Sequence, residues 1–80
     1  MTACDVCGHK TIPEDREYEI CPVCFWETDS TYLSDPDKVW GGPNGSLSLN
    51  QAKKNYEMFG AVEEKFRDKV RKPEESETAD

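Results

Sequence analysis

Only the second half of the chain shows hydrophobic residues at a helical spacing. Apolar residues three or four positions apart mark one side of this stretch: Leu49, Ala52, Tyr56 and Phe59. Ser48 stands where an N-cap is expected, with Gln51 three residues later as in a capping box. Gly60 is the residue type that ends helices in a left-handed conformation. The pattern therefore predicts a helix over residues 48–59.

The hydrophobic period continues more weakly after this helix. Val62, Phe66 and Val70 are spaced four residues apart, which predicts a second, shorter helix through residues 62–71. Pro73 then stops the helix, because proline cannot continue the backbone hydrogen bonding.

The last eight residues, 73–80, contain four acids and almost no apolar groups. A segment of this composition buries too little apolar surface to offset the entropy of ordering. We therefore expect one domain over residues 1–72 and a disordered acidic tail over residues 73–80.

The first 26 residues contain short strand-forming stretches rather than a helical period. Residues 11–12 and 18–20 are rich in Thr, Ile and Tyr, and residues 13–16 between them have turn chemistry. This arrangement predicts a β-hairpin. Residues 27–47 are irregular, with dense turn signals.

Four cysteines form two Cys-x-x-Cys pairs with thirteen residues between the pairs: Cys4, Cys7, Cys21 and Cys24. A chain of 80 residues, 35% hydrophobic and 34% charged, can form only a small core and needs additional stabilisation from a metal, disulfides or a partner. Two such pairs present four thiolates to one point, which is the tetrahedral set that structural zinc prefers. The spacing therefore predicts one structural zinc ion.

Other uses of the four cysteines stay open at this point. The ligand set also accepts a single iron or an iron–sulfur cluster, and an oxidising compartment would allow two disulfides. A thioredoxin-like redox role for Cys21 and Cys24 is less well supported, because no βαβ pattern surrounds them. His9, the one histidine, is expected to be a solvent-exposed side chain near the site rather than a ligand.

The chain begins without a basic segment followed by an apolar run, and it contains no apolar stretch of the roughly 20 residues that a membrane span needs. We therefore expect a cytoplasmic protein, in which reduced thiols are free to bind metal. A four-cysteine site has no open coordination position for substrate, and we expect no enzymatic activity.

The net charge of −7 is unevenly distributed. Residues 1–40 hold nine acids and three bases, whereas residues 41–72 hold four acids and seven bases. An acidic metal-binding segment repels phosphate backbones, so nucleic-acid binding is disfavoured and a basic protein partner is favoured. The basic residues of 41–72 are interpreted as the solvated faces of two helices.

Two tryptophans are candidate contacts for such a partner, since tryptophan is enriched at interface anchors. Trp40 lies beside a glycine-rich turn. Trp26 is the second residue after the last cysteine, where packing in the core is the competing interpretation.

Residues 18–27, with the sequence Tyr-Glu-Ile-Cys-Pro-Val-Cys-Phe-Trp-Glu, resemble the second half of the cysteine-rich CPCC family of small bacterial proteins. The turns at 35–37 and 41–45, together with the helix start at 48–52, are similar in order and approximate spacing to the later part of that family's pattern. The resemblance covers about residues 4–72. It departs at Asp5 and Val6, where the family has a proline and an additional cysteine. The Cys-x-x-Cys turns also resemble rubredoxin and zinc-ribbon knuckles.

The sequence thus predicts a small α+β metal-stabilised domain, in which a zinc-ribbon-like β-hairpin with two knuckles precedes one or two short C-terminal helices. The leading functional hypothesis is a zinc-stabilised protein-interaction module, either of the immunity type or regulatory, that binds a basic partner. The alternatives are a nucleic-acid-binding zinc ribbon and a rubredoxin-like iron electron carrier.

Overall fold

The computed structural model describes residues 1–14 and 18–78 of the chain. Its strands are β1 (Thr2–Ala3) and β2 (Lys10–Ile12). Its α-helices are α1 (Thr31–Ser34), α2 (Leu49–Phe59) and α3 (Glu75–Thr78), and a 3-10 helix spans Glu64–Lys69. A two-stranded antiparallel sheet combined with helices confirms the predicted α+β class. Among the described helices, none is long and apolar enough to cross a membrane.

The strand pairing differs from the predicted hairpin. β1 pairs antiparallel with β2, so the turn between them contains the first cysteine pair. Residues 18–20 pair with the chain that follows the second cysteine pair, through a bridge between Ile20 and Glu27. In each case the residues before a cysteine turn pair with the residues after the same turn. The predicted hairpin instead joins residues 11–12, after the first turn, to residues 18–20, before the second. Of the predicted connecting turn at 13–16, residues 15 and 16 lie outside the described residues.

Helix α2 agrees with the sequence prediction at both ends. The Ser48 hydroxyl accepts a hydrogen bond from the Gln51 backbone N–H at 3.1 Å, which satisfies one free donor of the first turn. Gly60 ends the helix with a φ of 75°, and its N–H donates to Tyr56 O. Leu49 and Ala52 are buried on the inner side of the helix.

The predicted second helix is wrong in type and length. The chain instead forms the six-residue 3-10 helix Glu64–Lys69. Its flanks are held by the second cysteine turn, because Val62 N–H donates to Cys24 O at 2.9 Å and Arg71 N–H donates to Pro22 O at 3.1 Å. These two anchors fix the ends of the segment independently of its helical period.

The core lies between the second cysteine turn, α1 and α2. Trp26 is fully buried, and its ring meets that of Tyr32 edge-on with centroids 4.9 Å apart. Tyr32 belongs to α1, so this contact ties the irregular stretch after residue 27 to the core. Leu49 packs into the same buried cluster from α2.

The C-terminal segment, for which we expect a disordered acidic tail, contains a short helix. Residues 75–78 form α3, and Glu77 receives two hydrogen bonds of 2.8 Å from the Arg71 guanidinium. Glu77 Oε1 also accepts from the Glu74 backbone N–H at 2.8 Å. The segment has few apolar side chains to pack against the core, and the ion pair with Arg71 attaches it to the preceding chain. Residues 79 and 80 lie outside the described residues.

Candidate metal centre

The first cysteine pair lies in a tight turn closed by backbone hydrogen bonds. Cys4 N–H donates to His9 O, and Gly8 N–H donates back to Cys4 O, each at 2.9 Å. Gly8 has a φ of 76°, a left-handed conformation that glycine adopts without a steric cost. This turn directs the side chains of Cys4 and Cys7 toward the same point.

The second cysteine pair repeats this construction seventeen residues later. Cys21 N–H donates to Trp26 O at 2.9 Å, and Phe25 N–H donates to Cys21 O at 2.8 Å. Phe25 takes the position that Gly8 holds in the first turn, and it has nearly the same φ, 74°. The two turns are therefore equivalent in backbone structure, although the sequence between their cysteines differs.

The two turns bring all four sulfur atoms together. The four Sγ atoms lie within 4.8 Å of one another. The sulfurs of Cys4 and Cys24 are 3.5 Å apart, and those of Cys7 and Cys21 are 3.7 Å apart. A tetrahedral site with Zn–S bonds of about 2.3 Å requires S···S separations of roughly 3.8 Å. The predicted clustering of these cysteines is confirmed, and the geometry fits one metal ion.

The site is closed on most sides. Cys4, Cys21 and Cys24 are buried, whereas Cys7 is half-buried. All four cysteines are free thiols in this structure, which places no disulfide between them. Four sulfur ligands complete a tetrahedron, so a metal bound here has no position left for a substrate. Structural metal sites and electron-transfer sites use four-sulfur sets of this kind.

The electrostatics of the cluster favour a cation. Hydrogen bonding with Cys24, and then with Cys4, lowers the pKa of the Cys21 thiol, because the Cys21 thiolate accepts from its neighbours. The contact with Cys21, and then with Cys4, raises the pKa of Cys24 well above its usual range. Without a metal, the four sulfurs thus cannot all be negative at once. A divalent cation removes this conflict and allows four thiolates.

A hydroxyl group that the sequence analysis did not single out contacts the cluster. Thr11 Oγ1 lies 3.0 Å from Cys21 Sγ, and its side chain is buried. Val23 N–H donates to the same sulfur at 3.4 Å. Thr11 belongs to β2, beside the first turn, so this contact connects one turn to a ligand of the other. From the sequence, Thr11 is recognisable only as a strand-forming residue. Its contact with Cys21 could not be predicted, because it depends on how the two turns pack against each other.

His9 differs from its expected exposure. It is half-buried, and its ring contacts that of Tyr56 with centroids 6.4 Å apart. His9 is outside the group of four sulfurs, and its carbonyl accepts from both Cys4 N–H and Thr11 N–H. The residue shapes the first turn.

The two candidate partner contacts have different environments. Trp26 has 0% exposed surface, so its ring has no face to offer a partner, and the competing interpretation as a core residue is correct. Trp40 is half-buried and lies under Lys38, whose Nζ is 4.0 Å from the ring centroid. Its Nε1–H donates to Asp35 O at 3.3 Å. Trp40 also packs against the edge of the core, so its side chain is only partly exposed in the loop before α2.

In a comparison with protein families, the model of the family described as cysteine-rich CPCC matches residues 2–77 of the 80. A comparison with curated proteins found no match.

Replacing Thr11 by valine is expected to lower metal affinity. The substitution keeps the shape of the side chain but removes the hydroxyl that contacts Cys21 Sγ, and loss of such an outer contact typically costs about 10–100-fold in metal affinity. Competition with a chromophoric chelator measures the change. Thr11→Ser is the matched control, because it keeps the hydroxyl and should bind metal within a few-fold of the parent protein. Equal affinities of Thr11→Val and the parent would show that this contact does not support the site.

Proposed function

The chain belongs to the cysteine-rich CPCC family, and we propose that it is a zinc-stabilised protein-interaction module that binds a basic partner. The observation that carries this proposal is the convergence of four free, mostly buried thiols within 4.8 Å of one another. A metal held this way would stabilise the fold, and the function would then lie in contacts made by the protein surface. We further propose that the protein works in the cytoplasm, where thiols stay reduced.

Zinc is the metal that best accounts for a site of this kind. Four thiolates satisfy its preferred tetrahedral coordination, and binding of zinc to such sets contributes about 10–16 kcal/mol in zinc-finger peptides at neutral pH. Within residues 1–14 and 18–78, the two turns that carry the ligands are flanked only by short pairings: β1 with β2 and the Ile20–Glu27 bridge. These pairings are too short to hold the turns in place unaided, because isolated two-stranded hairpins are marginal in water. Their likeness to zinc-ribbon knuckles supports the same metal.

The surface supports an interaction role in two respects. Several large apolar side chains are about half exposed or more, among them Tyr18 at 61%, Val39 at 52% and Met58 at 66%. The first 40 residues carry a net charge of −6, which steers positively charged proteins toward this part of the molecule. An immunity-type protein that covers the basic site of a toxin is one specific form of this role.

Trp40 is the proposed anchor for the partner. It lies in the acidic turn region that contains Asp35 and Asp37, and its indole is fixed by the bond to Asp35 O. Lys38 covers one face of the ring. A partly buried, oriented indole beside negative charge suits a basic partner, because interface anchors are typically rigid aromatic side chains.

Nucleic-acid binding is less well supported. Arg71, one of the basic residues of the second half, already forms a bidentate ion pair with Glu77. The acidic first half would also repel a phosphate backbone.

An iron electron carrier is the second candidate, and two observations favour it. Cys7 is only half-buried, which would give an external donor access to the cluster. Cys21 Sγ has contacts with both the Thr11 hydroxyl and the Val23 N–H, and hydrogen bonds to sulfur are among the features that set the potentials of iron–thiolate sites.

Metal analysis separates these two candidates. Protein purified from its native host under reducing conditions is expected to be colourless, with one zinc per chain by elemental analysis. A red protein with stoichiometric iron and a thiolate-to-iron absorption band would contradict the zinc assignment and favour the electron carrier.

Replacing Trp40 by alanine is expected to abolish partner capture. In an affinity capture from the native host, the parent protein should retain one dominant protein that the Trp40→Ala variant loses, and purified components should form the same complex. Lys54→Ala is the control, because Lys54 is an exposed residue on α2 outside the proposed interface. Both variants must keep the metal content of the parent. A partner retained equally by Trp40→Ala would remove Trp40 from the interface, and the absence of any specific partner would count against the module itself.

A further inference from the structure

A cleft of about 190 Å³ opens beside the second cysteine turn. Its three walls come from that turn, from the loop at residues 43–45 and from the segment at residues 62–66. The floor is apolar, with Val62 and Leu47 almost fully buried beneath it. Ile20 borders the opening and is 48% exposed. This volume is smaller than the roughly 300–1,000 Å³ of typical small-molecule sites, and it suits a single side chain.

The walls of the cleft are fixed to one another by hydrogen bonds. Asn44 is buried, and its side-chain amide makes two bonds to the backbone of Glu27, one accepted from N–H at 2.9 Å and one donated to C=O at 2.8 Å. The third wall is held by the bond from Val62 N–H to Cys24 O at 2.9 Å. The cleft is therefore formed before any partner arrives, which lowers the entropy cost of binding.

Phe25 forms one side of the cleft at a conformational cost. Its φ of 74° lies in the left-handed region that non-glycine residues seldom adopt. The equivalent position in the first turn is Gly8, with a φ of 76°, so the turn itself does not require a side chain here. The Phe25 ring lies against Phe66 with centroids 4.4 Å apart, on the wall of the cleft. A strained residue whose side chain lines a preformed cleft points to a role in binding.

The polar groups at the rim favour a cation. Glu27 and Glu63 border the cleft. Lys65 Nζ lies 3.5 Å from Glu63 Oε2 and 5.1 Å from the centroid of the Phe66 ring, so one cation of the chain already uses a carboxylate and an aromatic face at this rim. Within residues 1–14 and 18–78, the Glu27 carboxylate has no ion-pair partner. A second cation would therefore find an unpaired carboxylate beside an aromatic wall.

We propose that this cleft receives an arginine side chain from a basic segment of the partner protein. The apolar stem of arginine would pack between Ile20 and Phe25, and its planar guanidinium would lie on the aromatic wall and pair with Glu27. This inference rests on the proposed interaction function and assigns a second contact surface to it. The nearby four-thiolate site, with a net charge of −2 when it holds a divalent metal, adds to the attraction of a cation.

The test is an NMR titration of the isotope-labelled, metal-loaded protein with the capped tripeptide acetyl-Gly-Arg-Gly-amide at low salt. The matched probe contains citrulline, which has nearly the same shape as arginine but no charge. We expect saturable shifts confined to the cleft residues, and at least fivefold weaker binding of the citrulline tripeptide. Equal binding of the two tripeptides, or shifts spread over the whole surface, would overturn the proposal.

Two variants connect the binding to the cleft. Glu27→Gln removes the charge with almost no change in shape, and it should weaken the arginine tripeptide at least fivefold. Phe25→Gly removes the aromatic wall and relieves the left-handed strain, as Gly8 does in the first turn, so this variant should keep its metal and weaken binding by a similar factor. Glu57→Gln, an exposed change on α2 outside the cleft, is the control and should bind like the parent. Unchanged binding by Glu27→Gln would contradict the proposal even if Phe25→Gly fails to fold.

A result that overturns the arginine cleft can be distinguished from one that overturns the proposed interaction function. A partner protein that binds the parent and the Glu27→Gln and Phe25→Gly variants equally well would overturn the cleft proposal and leave the module intact.

Discussion

Four thiols held in one small volume are the constraint on which the rest of the structure depends. At separations of 3.5 and 3.7 Å, the sulfurs of opposite turns cannot all carry a negative charge unless a cation lies between them. Two strands of two and three residues offer little pairing energy to hold the turns together. The core formed by Trp26 and Tyr32 is built directly on the second turn, and α2 packs on that core. We therefore propose that a metal ion acts as the central packing element of this chain.

The two cysteine turns share one backbone design, and their differences indicate how the halves are used. The first turn has the unstrained Gly8 at its left-handed position and contributes Thr11, whose hydroxyl contacts a sulfur of the other turn. The second turn carries Phe25 and Trp26 in the equivalent region, and these two side chains have different environments. Trp26 enters the core, whereas Phe25 lines a cleft open to solvent. The first turn thus serves the metal site, and the second also builds the core and the proposed docking surface.

Features set by neighbouring residues in the chain could be predicted from the sequence. The ends of α2 depend on Ser48 and Gly60, and the cysteine cluster depends on two local turns of known type. Features set by contacts between distant segments could not. The strand pairing, the 3-10 helix after Val62 and the Thr11 contact all depend on how the second turn docks against the rest of the chain. The contact of α3 with Arg71 likewise joins segments that composition alone does not connect.

The central claim is that the metal ion holds this fold together, and the most direct test is to remove it. Reduced protein would be stripped of metal with a strong chelator and monitored by amide NMR spectra, and one equivalent of zinc would then be returned. We predict that amide dispersion collapses throughout the chain, α2 included, and that zinc restores the original spectrum. A metal-free, fully reduced protein that kept its dispersion and unfolded cooperatively on heating would contradict this claim.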